Sequence, residues 1–220
     1  MKRHDLIFLD KEGKKQAVQA ACRLHPKTKE TFIRNIIAGE GIPGIIKRQE
    51  AKRQEFIQVG YSTWYYCDGS RIRLNSEVAG EYINGVLTPF EVLERARDKQ
   101  LYKQLAVLAA DCGLRAGIYG SSALQEITGR PYRNTDSDID VFVKSITAGA
   151  DLKRFAERLL KLEKIQQTAF DVEVEYRDIY GIKLKELQSG QKTVLAKGLF
   201  DVQLLEREAV LREISQERDS

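Results

Sequence analysis

The run Ser137-Asp138-Ile139-Asp140-Val141-Phe142-Val143 alternates acidic and apolar residues and then becomes wholly apolar. Successive side chains of a strand leave on opposite faces. Ile139, Val141 and Val143 therefore point one way, and Asp138 and Asp140 the other. At about 3.3 Å per residue, the two acidic Cα atoms stand roughly 6.5 to 7 Å apart. Two carboxylates side by side at the mouth of an apolar strand repel each other and are costly unless a cation neutralises them. A divalent metal is the simplest resolution, which makes Asp138 and Asp140 the candidate catalytic and metal-binding pair. Edge strands also carry charges that discourage aggregation, but Val141-Phe142-Val143 reads as a strand heading into a core.

Two neighbouring segments give the pair a context. Gly120-Ser121-Ser122 joins a strand read over 115–119 to a short helix read over 121–128 and closed by Gly129. Glycine allows close backbone approach, and the free N–H groups of a helix start attract an anion. These three residues are the candidate phosphate-binding turn. A further strand over 170–176 carries Asp171, Glu173 and Glu175 on one face and Val172, Val174 and Tyr176 on the other. Beside the first acidic strand, Asp171 or Glu173 completes a three-carboxylate cluster able to hold two divalent ions, with Glu175 expected as a surface charge. All-oxygen ligands together with substrate phosphates suit magnesium.

The chain has 36 basic and 32 acidic residues, and the basic ones are interspersed with acids. No basic stripe with interleaved aromatics marks a nucleic-acid surface. Cys22, Cys67 and Cys112 form no CxxC pair, so neither a zinc site nor a disulfide framework is expected. The apolar stretch Leu6 to Leu9 is too short for a signal core or a membrane span. The expected location is the cytoplasm.

The pattern divides the chain into a β-rich domain over 1–87, expected to meet substrate or partner, and a catalytic domain over 88–220. In the first, strands are read at 6–9, 42–46, 56–60, 64–67 and 72–74, a helix at 27–38, and a hairpin turn at Asp68-Gly69. Thr88-Pro89-Phe90-Glu91 is a capping box with proline at the first helical position. It opens one helix expected to run to Cys112, with Gly113 as its cap. Beyond lie an amphipathic helix over 151–165 (Leu152, Phe155, Leu159, Leu160 and Leu162 on its apolar side), a short strand near 193–196 and a final helix over 202–214. The class is α+β: a mixed sheet with helices, preceded by a smaller β-rich domain.

A Gly-Ser turn, Asp-Xaa-Asp on the next strand and a carboxylate on a later one resemble the polymerase-beta-type nucleotidyltransferase superfamily. Tyr119 to Tyr132, with its Ile127-Thr128-Gly129-Arg130-Pro131-Tyr132 stretch, followed by Ser137-Asp138-Ile139-Asp140, resembles more closely the phosphoribosyl-dephospho-CoA transferases. These are the holo-acyl-carrier-protein synthases of malonate decarboxylase. Arg3-His4-Asp5-Leu6, Lys47-Arg48, Val59-Gly60, Ser70-Arg71-Ile72-Arg73 and Val194-Leu195-Ala196-Lys197 are similar to other segments of that family. Val172 replaces a family glycine, and Trp64-Tyr65-Tyr66 lengthens an aromatic stretch.

The resemblance implies a reaction. A serine hydroxyl of an apo acyl-carrier protein attacks the α-phosphorus of 2′-(5″-triphosphoribosyl)-3′-dephospho-CoA, and diphosphate leaves. Magnesium, two ions, would sit on Asp138, Asp140 and Asp171 or Glu173. Gly120, Ser121 and Ser122 would hold the triphosphate. Lys47, Arg48, Arg71, Arg73 and Lys197 are candidates for phosphate or carrier contacts. The alternatives are nucleotidyl transfer to another acceptor (a small molecule, a protein or RNA) and a non-catalytic nucleotide- or partner-binding module of the same fold.

Overall fold

The computed structural model describes residues 1–39, 41–50, 55–67, 70–96, 99–134, 137–147 and 150–216. The expected turn at Asp68-Gly69 lies outside them. The chain divides into two compact units, Met1–Thr88 with Leu124–Tyr132, and Pro89–Ala123 with Arg133–Ser220.

The first unit carries β1 (Leu6–Leu9), α1 (Lys11–Leu24), α2 (Glu30–Arg34), a π-turn at Asn35–Gly39, β2 (Gly44–Ile46), β3 (Phe56–Cys67), β4 (Ser70–Ala79), a 3-10 turn at Gly80–Tyr82 and β5 (Ile83–Leu87). The strands form an antiparallel sheet in the order β4-β3-β2-β1-β5. Helix α1 is absent from the pattern read above because its buried face is built from small residues, Ala17, Val18, Ala20 and Ala21, behind a polar first turn. Asp10 caps it by accepting from the Gly13 N–H at 2.7 Å. Ser76 Oγ donates to the Ala17 carbonyl at 2.7 Å, fastening the helix to β4.

The segments read as two strands, 56–60 and 64–67, are one. Strand β3 bulges between Ser62 and Tyr66. There Thr63 Oγ1 accepts from the Ile72 N–H at 3.2 Å and donates to the Tyr65 carbonyl at 2.8 Å. A side chain thus takes the place of a ladder partner, and the irregularity hides the strand's continuity.

The second unit contains α3 (Pro89–Arg95), α4 (Gln100–Ala110), β6 (Leu114–Ile118), the start of α5 (Gly120–Thr128), β7 (Ile139–Ser145), α6 (Leu152–Gln166), β8 (Phe170–Tyr176), β9 (Tyr180–Lys183), α7 (Leu184–Leu187), β10 (Thr193–Lys197), β11 (Val202–Glu206) and α8 (Arg207–Gln216). Its six strands run in the order β11-β10-β9-β8-β7-β6. Only β7 and β8 pair in parallel, joined by the crossover helix α6. The architecture is α+β, with helices packed on sheets.

Three expectations are corrected here. The helix expected over 88–112 is two helices, because Lys99 adopts an extended conformation and restarts the chain as α4. No apolar residue stands between Ala96 and Leu101 to hold a continuous helix against the sheet. The helix expected over 202–214 begins instead as β11, five residues paired with β10 through a tight return in which the Gly198 N–H donates to the Asp201 carbonyl. Short apolar runs carry helical and strand spacing equally well. Leu160, placed on the apolar side of α6, is exposed; Leu152, Phe155, Leu159 and Leu162 are buried as expected.

Candidate active site

The second unit's sheet has two chemically distinct faces. Ile139, Val141 and Val143 of β7 and Phe170, Val172 and Val174 of β8 are all buried on one of them, where α6 packs. The parallel register sets Asp140 beside Asp171, and Phe142 beside Glu173, on the other. Strand β7 starts at Ile139, so Asp138 stands just before it and is exposed. The Ile139 N–H donates to the Ala169 carbonyl at 2.8 Å, which aligns the starts of the two acidic strands.

The glycine turn is bound into this arrangement. Strand β6 runs antiparallel to β7, and the Tyr119 N–H donates to the Asp140 carbonyl at 3.1 Å. Gly120 follows with φ +63°, a region L-residues rarely adopt. A Cβ on Gly120 would collide with the Asp140 carboxylate. The first residues of α5 thereby meet the acidic strand at backbone distance. Ser121 is half-buried; Ser122 is fully buried, and its Oγ has no hydrogen-bond partner.

Lys183 is the residue that the sequence pattern did not single out. It lies on β9 directly across from Glu173. Its Nζ donates to Asp171 Oδ2 at 2.5 Å and stands 3.4 Å from Glu173 Oε1. Tyr176 and Tyr180 close the β8–β9 hairpin across Arg177 and Asp178, both at positive φ. Neither is the glycine or asparagine that usually announces such a turn, so β9 gave little local signal. Gly181 makes room for the same acid, since a Cβ there would come within 2.6 Å of Glu173 Oε2.

Arg133 was also missed. Its Nη2 donates to the Ser137 carbonyl at 2.9 Å and to Thr168 Oγ1 at 3.0 Å, tying the approach to β7 to the approach to β8.

Glu173 is 3% exposed and Glu175 6%. The surface role expected for Glu175 is therefore wrong: it is buried towards the end of β8, a strand paired on both sides by β7 and β9. Burial pushes the Asp140 carboxyl up to about 6; Asp171, Glu173 and Asp138 add to the rise, and Lys183 opposes it. Burial disfavours the charge on Lys183, but its hydrogen bond to Asp171 and the nearby Glu173 outweigh that effect and raise it.

Among the described residues, no three Asp, Glu, His or Cys side chains converge closely enough to enclose an ion by themselves. The donors present are nevertheless hard carboxylate oxygens. Magnesium is usually held by one or two of these plus substrate phosphates rather than by a complete protein cage. Asp138 and Asp140 fit that mode.

The remaining candidates are spread over both units. Lys47, whose Nζ donates to Asn75 Oδ1 at 2.6 Å, Arg48 and Arg73 are exposed in the first unit. Arg71 of the same unit is held between the rings of Tyr66 and Tyr132, 5.1 and 5.8 Å from their centroids. Lys197 lies on β10 opposite Gly181 in the second unit.

Fold and site together define an α+β protein with a glycine turn pressed against a row of carboxylates. Residues 88–208, more than half of the chain, match the family described as phosphoribosyl-dephospho-CoA transferase MdcG C-terminal domain, and the chain belongs to that family. A curated relative, the phosphoribosyl-dephospho-CoA transferase of Bradyrhizobium diazoefficiens, is 30% identical over 100 residues. That match covers 46% of this chain and 44% of the relative. No solved structure matches the chain.

Proposed function

We propose that this protein transfers the phosphoribosyl-dephospho-CoA group from 2′-(5″-triphosphoribosyl)-3′-dephospho-CoA to a serine of the apo acyl-carrier protein of malonate decarboxylase. The observation that carries the reading is the contact of the Gly120 turn with Asp140, with Asp171 alongside. Phosphate-binding N–H groups and a carboxylate row then face the same reacting group. Family membership supports the choice of donor.

In this reading, the turn and Ser121 hold the triphosphate, with the Ser122 hydroxyl, which has no partner among the described residues, as a further donor at the helix start. Asp138 and Asp140 are the magnesium ligands, with Asp171 or Glu173 as the third acid. When bound, magnesium offsets the negative charge of the phosphates and of the leaving diphosphate. The serine oxygen bonds to the α-phosphorus, the bond from that phosphorus to the diphosphate oxygen breaks, and the serine proton passes to a carboxylate of the row. Lys47, Arg48, Arg71, Arg73 and Lys197 supply phosphate or carrier contacts. In this reading the reaction takes place in the cytoplasm. No helix among the described residues is long and apolar enough to cross a membrane.

Co-expression with the carrier protein, followed by mass spectrometry of the intact carrier, tests the reading. The expected product is a carrier heavier by one phosphoribosyl-dephospho-CoA group, absent with the Asp138→Ala and Asp140→Ala variants. An adduct of a different mass assigns another nucleotidyl donor or acceptor. Full loading by both variants overturns the proposal.

A further inference from the structure

We infer that the site takes one divalent ion, and that the Lys183 ammonium occupies the place where a second ion would otherwise bind. The inference rests on the metal-dependent reading above and concerns how many ions that site admits.

Four carboxylates belong to the row: Asp138, Asp140, Asp171 and Glu173. They do not share their environment equally. Lys183 stands against two of them, 2.5 Å from Asp171 Oδ2 and 3.4 Å from Glu173 Oε1. Its place is set by the strand ladder, since Lys183 and Glu173 are direct cross-strand partners and Asp171 is the diagonal neighbour. The lysine side chain is 22% exposed and that of Glu173 4%, so this is not a mobile surface pair. Buried carboxylates left without a counter-charge would be strongly destabilising, which keeps the ammonium in place.

A magnesium ion bonds carboxylate oxygen at about 2.0–2.1 Å. An ion on Asp171 Oδ2 would therefore share that oxygen with an ammonium already at hydrogen-bond distance, and two cations so close repel. Among the described residues, Asp138 and Asp140 have no cationic side chain within ion-pair distance. The acid row thus splits into a half partly neutralised by the protein's own cation, one ammonium against two carboxylates, and a half left for a metal. The lack of a closed three-acid cluster among the described residues agrees with this division.

The test counts bound Mn2+ on the full chain by electron paramagnetic resonance, which also reads magnetic coupling between neighbouring ions. The wild-type protein is expected to bind one Mn2+ without coupling. Lys183→Gln is expected to bind two, with the line broadening of a coupled pair. Lys183→Arg, which keeps the charge, is expected to return to one. A coupled pair in the wild type overturns the inference whether or not the variants fold, and so does a single ion in a folded Lys183→Gln protein. No Mn2+ binding by the wild type overturns the metal reading itself, a separate result.

Discussion

The two faces of β7 and β8 are built from alternate residues of the same strands, yet they obey opposite rules. On one face, Ile139, Val141, Val143, Phe170, Val172 and Val174 are buried, each stabilising the fold by about 1.5–3 kcal/mol. On the other, Asp140, Asp171 and Glu173 bring like charges together. Their mutual repulsion is relieved in part by Lys183. A slip of one residue in register would exchange the two sets. The apolar face therefore fixes the register, and the register forces the acids together. The sheet stabilises an arrangement that its acidic residues would not adopt unaided.

The largest break in this comparison comes from removing the acid itself. Asp140→Ala is expected to lower group transfer by at least about a thousandfold, equivalent to about 4 kcal/mol of transition-state stabilisation, while the folded state persists. Carrier loading followed by mass spectrometry gives the rate, and circular dichroism checks the fold. Gly120→Ala should come next. It forces a Cβ into a positive-φ position at a cost of about 1–2 kcal/mol and drives that Cβ into the Asp140 carboxylate. Misplacement of the acid by about 1 Å is expected to lower the rate roughly a hundredfold. A Gly120→Ala protein with wild-type turnover would show that the turn does not position Asp140.

The acidic strand is legible in the sequence because its period of two is strict, and the shared parity of Asp138 with Asp140, and of Asp171 with Glu173, needs nothing beyond that period. The parallel pairing that sets Asp140 beside Asp171 was not legible, since a ladder is a non-local fact. Lys183 escaped for a related reason. One lysine at the end of Tyr180-Gly181-Ile182-Lys183 is unremarkable until the hairpin folds it back onto Glu173. Glu175 reads as a surface charge on polarity alone, but polarity does not report which stretch of a strand's face is covered: on the same strand, the Asp171 side chain is 29% exposed and Glu175 6%. Helix α1 escapes because alanines make a weak apolar stripe, and β11 reads as helix because Val202, Leu205 and Ala209 stand at i, i+3 and i+7.

The repulsion on the acidic face makes a smaller, signed prediction. In the fold, Asp140 holds its proton up to about 6, against an ordinary value of 3.8. The folded state thus binds that proton more tightly than the unfolded chain does. The resulting contribution to stability is fully present below 3.8 and is lost as pH rises through 6. Asp140→Asn removes the ionisation, so in chelator-treated protein it should be more stable than wild type at pH 7.5 by on the order of 2 kcal/mol. Near pH 3.5 the difference should vanish. Urea denaturation at the two pH values measures both, and a variant less stable than wild type at pH 7.5 would contradict the proposed strain.

The smallest effect is the sharpest test of the two-face picture, because it concerns the residue between the two acids. Ile139 lies on the same backbone as Asp138 and Asp140, but its side chain is fully buried on the opposite, apolar face. Ile139→Val deletes one methylene from that packing, which costs about 0.5–1.5 kcal/mol. Branching at Cβ is retained, so the strand conformation and the register with Phe170 are undisturbed. The urea midpoint should fall accordingly, while the transfer rate stays within about twofold of wild type at a denaturant-free pH of 7.5. If the rate instead fell as steeply as in Asp140→Ala, the two faces would not be separable. The apolar residues would then act on the chemistry directly rather than through the register alone.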